Sequence, residues 1–269
     1  MTLLWLRVAL ALYSLGLLHA ILTVIQRREK LFQAGLGAIS LGVVFHLVAL
    51  VEDGLAVRHF PVTSLAEAAS FFAFLLAISF LLVYWKYRIH SLSVFIFPLV
   101  FVLTLIAAVE HSTYAWGPPL LRTTWLYLHV PLIILGNTAF FLTFAAGVMY
   151  LIQEHALKSK KPRAFYNRLP PLEVIDDLAY KSLAVGFPFI TLGIVTGALW
   201  ASSVWGPGWS RDPKIALSFV SWIIYLLLLV TRWSAGWRGR KAAYFAIVGF
   251  AIILVTWGTN RGLHSFVSP

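Results

Sequence analysis

The sequence predicts an all-α membrane protein: a polytopic bundle of about eight transmembrane helices, with both termini on the outer side. The first observation behind this is compositional. Of 269 residues, 60% are hydrophobic and 12% charged, against roughly half and a quarter in soluble domains. The second is the spacing of charge. Asp, Glu, Lys and Arg are missing from 8–26, 31–51, 68–85, 91–109, 123–153, 182–210, 215–231 and 242–260. Each stretch is close to or above the ~20 residues that cross about 30 Å of hydrocarbon as helix. The third is the asymmetry of the basic residues. Fifteen of the 21 Lys and Arg residues fall in alternate connections, which the positive-inside rule assigns to one face.

Taken in order, the first span opens without a basic leader segment or a small-residue cleavage site, so it reads as a retained helix. Arg27, Arg28 and Lys30 follow it, and Lys86 and Arg88 follow the third span. Lys158, Lys160, Lys161, Arg163, Arg168 and Lys181 lie between spans five and six, and Arg232, Arg238, Arg240 and Lys241 between seven and eight. The net charge of +11 is therefore a topology signal and not a nucleic-acid patch. In the long inward loop, about 155–180, Leu172–Ala179 fits a short interfacial helix. Gly193 and Gly197 form a small-xxx-small pair that reports close helix packing. The whole chain, 1–269, reads as a single integral membrane domain.

Cysteine is absent, which excludes disulfides, thiolate metal sites and CxxC redox pairs within the chain. No Ser/His/Asp set, phosphate-binding Gly loop or zinc spacing appears either. The outward connection 200–214 is different. Trp200, Trp205 and Trp209 gather there with Gly206, Pro207, Gly208, Pro213 and Asp212, so continuous helix is excluded. Such a loop suits a flat apolar ligand held by stacking. His129, near the outer end of span five, and His264, just beyond span eight, fall on the same side. Two imidazoles flanking an aromatic platform can supply axial ligands to a heme iron. His46 lies within span two, either as a neutral histidine bonded to a neighbouring helix or as a ligand. His59 and Glu67 lie around Pro61, where Glu67 suits the start of span three.

With those residues in hand, the chain resembles the cytochrome c assembly family, the CcsA/ResC-type heme-handling proteins and their HemX-like branch. The resemblance is strongest over 55–269. It rests on Trp205-Gly-Pro-Gly-Trp209-Ser-Arg211-Asp212-Pro213-Lys214, on the lead-in from Gly186 to Trp200, and on Gly236-Trp-Arg-Gly-Arg240. Trp125-Leu-Tyr-Leu-His129-Val, Gly262-Leu-His264-Ser-Phe, His59-Phe-Pro and Glu67 extend it.

The resemblance implies non-covalent, b-type heme held between His129 and His264 over Trp205 and Trp209. It implies delivery of that heme to an apocytochrome c alongside a second, ResB/CcsB-type membrane subunit, within lipid. The Trp-rich loop would face the periplasm of a bacterial inner membrane. The chain would then present heme rather than act as a self-sufficient enzyme. Arg211 stands where the family usually has a third Trp, a position from which it could pair with a heme propionate. Ile215 replaces a usual Glu, Asn137 a usual Tyr, and Val230 a transmembrane His, departures that bring the HemX-like regulators of heme biosynthesis into view.

Overall fold

A computed structural model describes residues 2–26, 29–58, 60–109, 124–159 and 169–259. Among them, eight helices are long and apolar enough to cross a membrane, and there is no strand. They are α1 (Thr2–Gln26), α2 (Glu29–Val57), α3 (Leu65–Tyr87), α4 (Ser93–Val109), α5 (Thr124–Ser159), α6 (Leu172–Trp205), α7 (Pro213–Ser234) and α8 (Arg240–Gly258). The chain is an integral membrane protein. The charge-free stretches and the helices coincide because a buried backbone in lipid satisfies its polar groups only as helix or closed barrel.

The helices fall into two compact units, α1–α4 in one and most of α5 with α6–α8 in the other. Lipid offers no hydrophobic drive for helix association, so close approach has to come from small residues. In the first unit, Gly16 of α1 meets Ile39 of α2, while Gly35 and Gly42 of α2 meet His19 and Tyr13 of α1. In the second, α5 and α6 mate along a seam. His129, Ile133, Gly136 and Phe140, spaced 4-3-4 on one face of α5, lie against Gly197, Gly193, Ile190 and Gly186 of α6. A Cβ on Gly136 would stand 2.9 Å from the Ile190 nitrogen, and one on Gly193 2.7 Å from Ile133 Cδ1. The small-xxx-small pair is thus half of an antiparallel interface.

Leu172–Ala179 is not a separate interfacial helix. It forms the first turns of the 34-residue α6, with Ile175, Leu178 and Leu183 buried on one side. No glycine or proline interrupts the chain between Leu172 and Val185, and two ion pairs hold this part. Asp177 accepts from Lys181 at 2.7 Å one turn on. Asp176 takes the Arg232 guanidinium of α7 in a fork at 2.7 and 3.1 Å, and accepts the Gly239 N–H at 3.1 Å. Arg232 also lies over the Tyr180 ring. Gly236 and Gly239 both adopt positive φ in the turn to α8, a conformation suited to glycine. The Gly236–Arg240 segment therefore ties α6, α7 and α8 together at this end of the unit.

Candidate functional site

The other end of the α5–α8 unit holds His129. α5 carries Pro131 two residues later, whose ring leaves the helix one backbone donor short there. The half-buried imidazole sits on α6, with Nδ1 2.7 Å from the Gly193 carbonyl oxygen. A carbonyl only accepts, so Nδ1 carries the proton, and in the neutral ring Nε2 carries the lone pair. That is the donor chemistry of a metal-bound histidine, in which a backbone carbonyl orients the ring from its second nitrogen. His129 therefore fits a heme iron.

Gly193, Gly197 and Trp200 are spaced four and three apart, so Trp200 follows on the same face of α6, and it is buried. Helix α6 ends at Trp205, and a 3₁₀ turn covers Gly206–Arg211. The α-helix thus runs through the first six residues of the 200–214 connection, placing Trp200 on α6, and ends at the Gly206-Pro207-Gly208 turn. Within the turn Trp209 is half-buried and Arg211 exposed. Asp212 is buried and caps α7, its Oδ1 accepting the N–H groups of Lys214 and Ile215 at 2.9 and 3.3 Å. Pro213 takes the first helical position, where its missing N–H does no harm. The Asp-Pro pair in the Trp-rich motif thus has a local task, starting α7 directly after the turn.

The remaining candidates lie elsewhere. His46 is fully buried among α1–α3, its Nδ1 3.3 Å from Tyr13 Oη and its Nε2 2.9 Å from Ser70 Oγ. Glu67 closes a capping box with Ser64. Its Oε2 accepts the N–H groups of Thr63 and Ser64 at 2.6 and 3.2 Å and the Thr63 hydroxyl at 2.9 Å. The sequence pattern Ser-x-x-Glu carries this signal. His59 and His264 lie outside the described residues, as does the side chain of Trp205. The second histidine of the expected pair and one of the three tryptophan side chains therefore lie outside this description. What sequence reasoning missed is the support of His129: Gly193, Thr196 and Gly197, whose signal was a small-residue pair in the span facing a histidine.

Residues 62–264 match the model of the family described as cytochrome C assembly protein. The chain belongs to that family. It is 27% identical over 288 aligned positions to the cytochrome c biogenesis protein CcsA of Guillardia theta, covering 98% of this chain and 94% of that one. It is 32% identical over 235 positions to the CcsA of Prochlorococcus marinus strain AS9601, covering 77% and 76%. Among solved structures, it is similar to a protein titled cytochrome c heme lyase CcmF, with a TM-score of 0.70 and 19% identity. That likeness concerns the fold. It covers 98% of this chain and 47% of the other, so this chain spans about half the length of that protein.

Proposed function

We propose that the chain holds heme at the His129 end of the α5–α8 unit and presents it for attachment to an apocytochrome c. The CcsA relatives, named as cytochrome c biogenesis proteins, support heme handling in cytochrome c maturation. The observation that carries the site is the 2.7 Å contact between His129 Nδ1 and the Gly193 carbonyl, which fixes a ligand tautomer. His264 would be the second histidine to hold the iron, and Trp205 and Trp209 would offer aromatic surface to the porphyrin. Arg211 is exposed at the end of the same turn, a position suited to a propionate.

Heme brings vinyl groups to which an acceptor's CxxCH thiols add, each S–H adding across one C=C bond to give a thioether. A chain without cysteine contributes positioning to that step rather than sulfur. The heme is b-type and non-covalent while it resides here. The partner is a second membrane subunit of ResB/CcsB type. The site faces the periplasm of a bacterial inner membrane, with both termini on that side, as the basic connections favour.

The test is a visible spectrum of the detergent-purified full chain loaded with hemin, first oxidised and then reduced with dithionite. Sharp reduced α and β bands with a low-spin Soret are expected, and H129A and H264A should each abolish or shift them. Bands unchanged in both variants would remove the ligand assignment. A featureless wild-type spectrum after heme addition would turn the reading toward a HemX-like regulator.

A further inference from the structure

The ring of His129 lies on a floor that only glycine permits. A Cβ at Gly197 would stand 2.5 Å from both Cε1 and Nδ1 of the imidazole and 3.3 Å from Nε2. Real Cβ contacts do not come that close, and van der Waals repulsion would push the ring away. One turn earlier on α6, the Gly193 carbonyl accepts from Nδ1 at 2.7 Å. The same oxygen lies 2.9 Å from Thr196 Oγ1, whose single proton is shared with the Leu192 carbonyl at 2.8 Å. Gly193 itself admits Ile133 of α5 beside its Cα, which brings the two backbones near enough for the His129 bond to span them.

We infer that Gly193, Thr196 and Gly197 form a seat that orients His129 and sets its tautomer, making them positioning residues for whatever binds at Nε2. This rests on the proposed function in that the ligand taken at Nε2 is a heme iron. The seat has two separable parts. Gly197 decides where the ring lies, through the space it leaves. The Gly193 carbonyl decides which nitrogen carries the proton, and Thr196 tempers that bond by donating to the same oxygen. A stronger N–H···O bond makes the imidazole a more electron-rich ligand, which favours ferric over ferrous iron.

The first measurement needs no heme. In full-length protein carrying ¹⁵N-histidine in detergent, the His129 signal, assigned by its loss in H129Q, should show the proton on Nδ1. In G197A that signal should move, as the ring leaves the carbonyl. A proton on Nε2 in the wild type, or a G197A signal identical to wild type, would overturn the seat. With hemin bound, G197A should weaken heme affinity by roughly 10- to 100-fold, the range seen when a ligand's supporting shell is lost. An unchanged affinity and low-spin spectrum in a folded G197A would likewise overturn it.

T196V covers the case in which G197A does not fold, because valine matches threonine in shape. It removes the competing donor, so the heme reduction potential should become more negative while the spectrum stays low-spin. A potential that is unmoved or more positive would overturn the role of Thr196. Failure of the heme reading is distinguishable, since it shows as an H129A spectrum equal to wild type while the apo-protein tautomer still reports the seat.

Discussion

His46 and His129 are both tied to neighbouring helices by hydrogen bonds, but their partners differ in kind. His46 meets two hydroxyls, those of Tyr13 and Ser70, and a hydroxyl can donate or accept. Either tautomer therefore satisfies it, and its bonds stitch α1, α2 and α3 together whichever is present. His129 meets a backbone carbonyl, which accepts only, so its tautomer is dictated. A histidine that serves packing tolerates ambiguity, whereas a ligand needs its lone pair on a stated atom. What sets the tautomer is the partner's chemistry.

Five substitutions press on this contrast. The largest expected effect is a control in the α5–α8 unit. D176A leaves the Arg232 guanidinium, itself nearly buried, without its forked partner and should cost about 3 kcal/mol of stability. If loss of stability alone erased heme binding, the D176A protein at temperatures where it is folded would lose its low-spin bands; they should persist. H46A comes next. Both hydroxyls lose their common partner, and the expected loss is about 1–2 kcal/mol in detergent unfolding, again with the low-spin spectrum intact. A spectrum altered in H46A but not in H129A would reverse the comparison. S64A, which opens the capping box of α3, should cost about 1 kcal/mol, and E67Q should resemble it if Glu67 serves as a cap rather than at a ligand site. The smallest effect belongs to Y13F, about 0.5 kcal/mol. Its ¹⁵N-histidine spectrum should show the His46 proton settling on one nitrogen, while that of His129 does not move.

The eight spans were legible because charge spacing and bilayer thickness are both one-dimensional. A run without Lys, Arg, Asp or Glu needs no knowledge of its neighbours to be recognised as a span. The misreading of Leu172–Ala179 shows the limit of that logic. Its acidic residues look interfacial in isolation, but Asp176 is consumed by Arg232 and the Gly239 N–H, which lie 56 and 63 residues away. The seat of His129 was hidden for a similar reason. Gly193 and Gly197 were visible as a packing pair, but their facing residues come from α5, 64 residues earlier in the His129–Gly193 case, and no periodicity within α6 names them. Asp212 and Glu67 were legible in a different way. Asp-Pro and Ser-x-x-Glu are helix-start signals, and the structure uses both carboxylates for that purpose.

The α5–α6 seam also bears on how the chain tolerates change in length. His129, Ile133, Gly136 and Phe140 meet Gly197, Gly193, Ile190 and Gly186 rung by rung. One residue inserted into either helix between those rungs turns everything beyond it by about 100°. The imidazole would then face a side chain instead of bare backbone. Within these twelve residues of each helix the glycines resist a larger side chain and the rungs resist an insertion, which makes the seam a ruler as well as a contact.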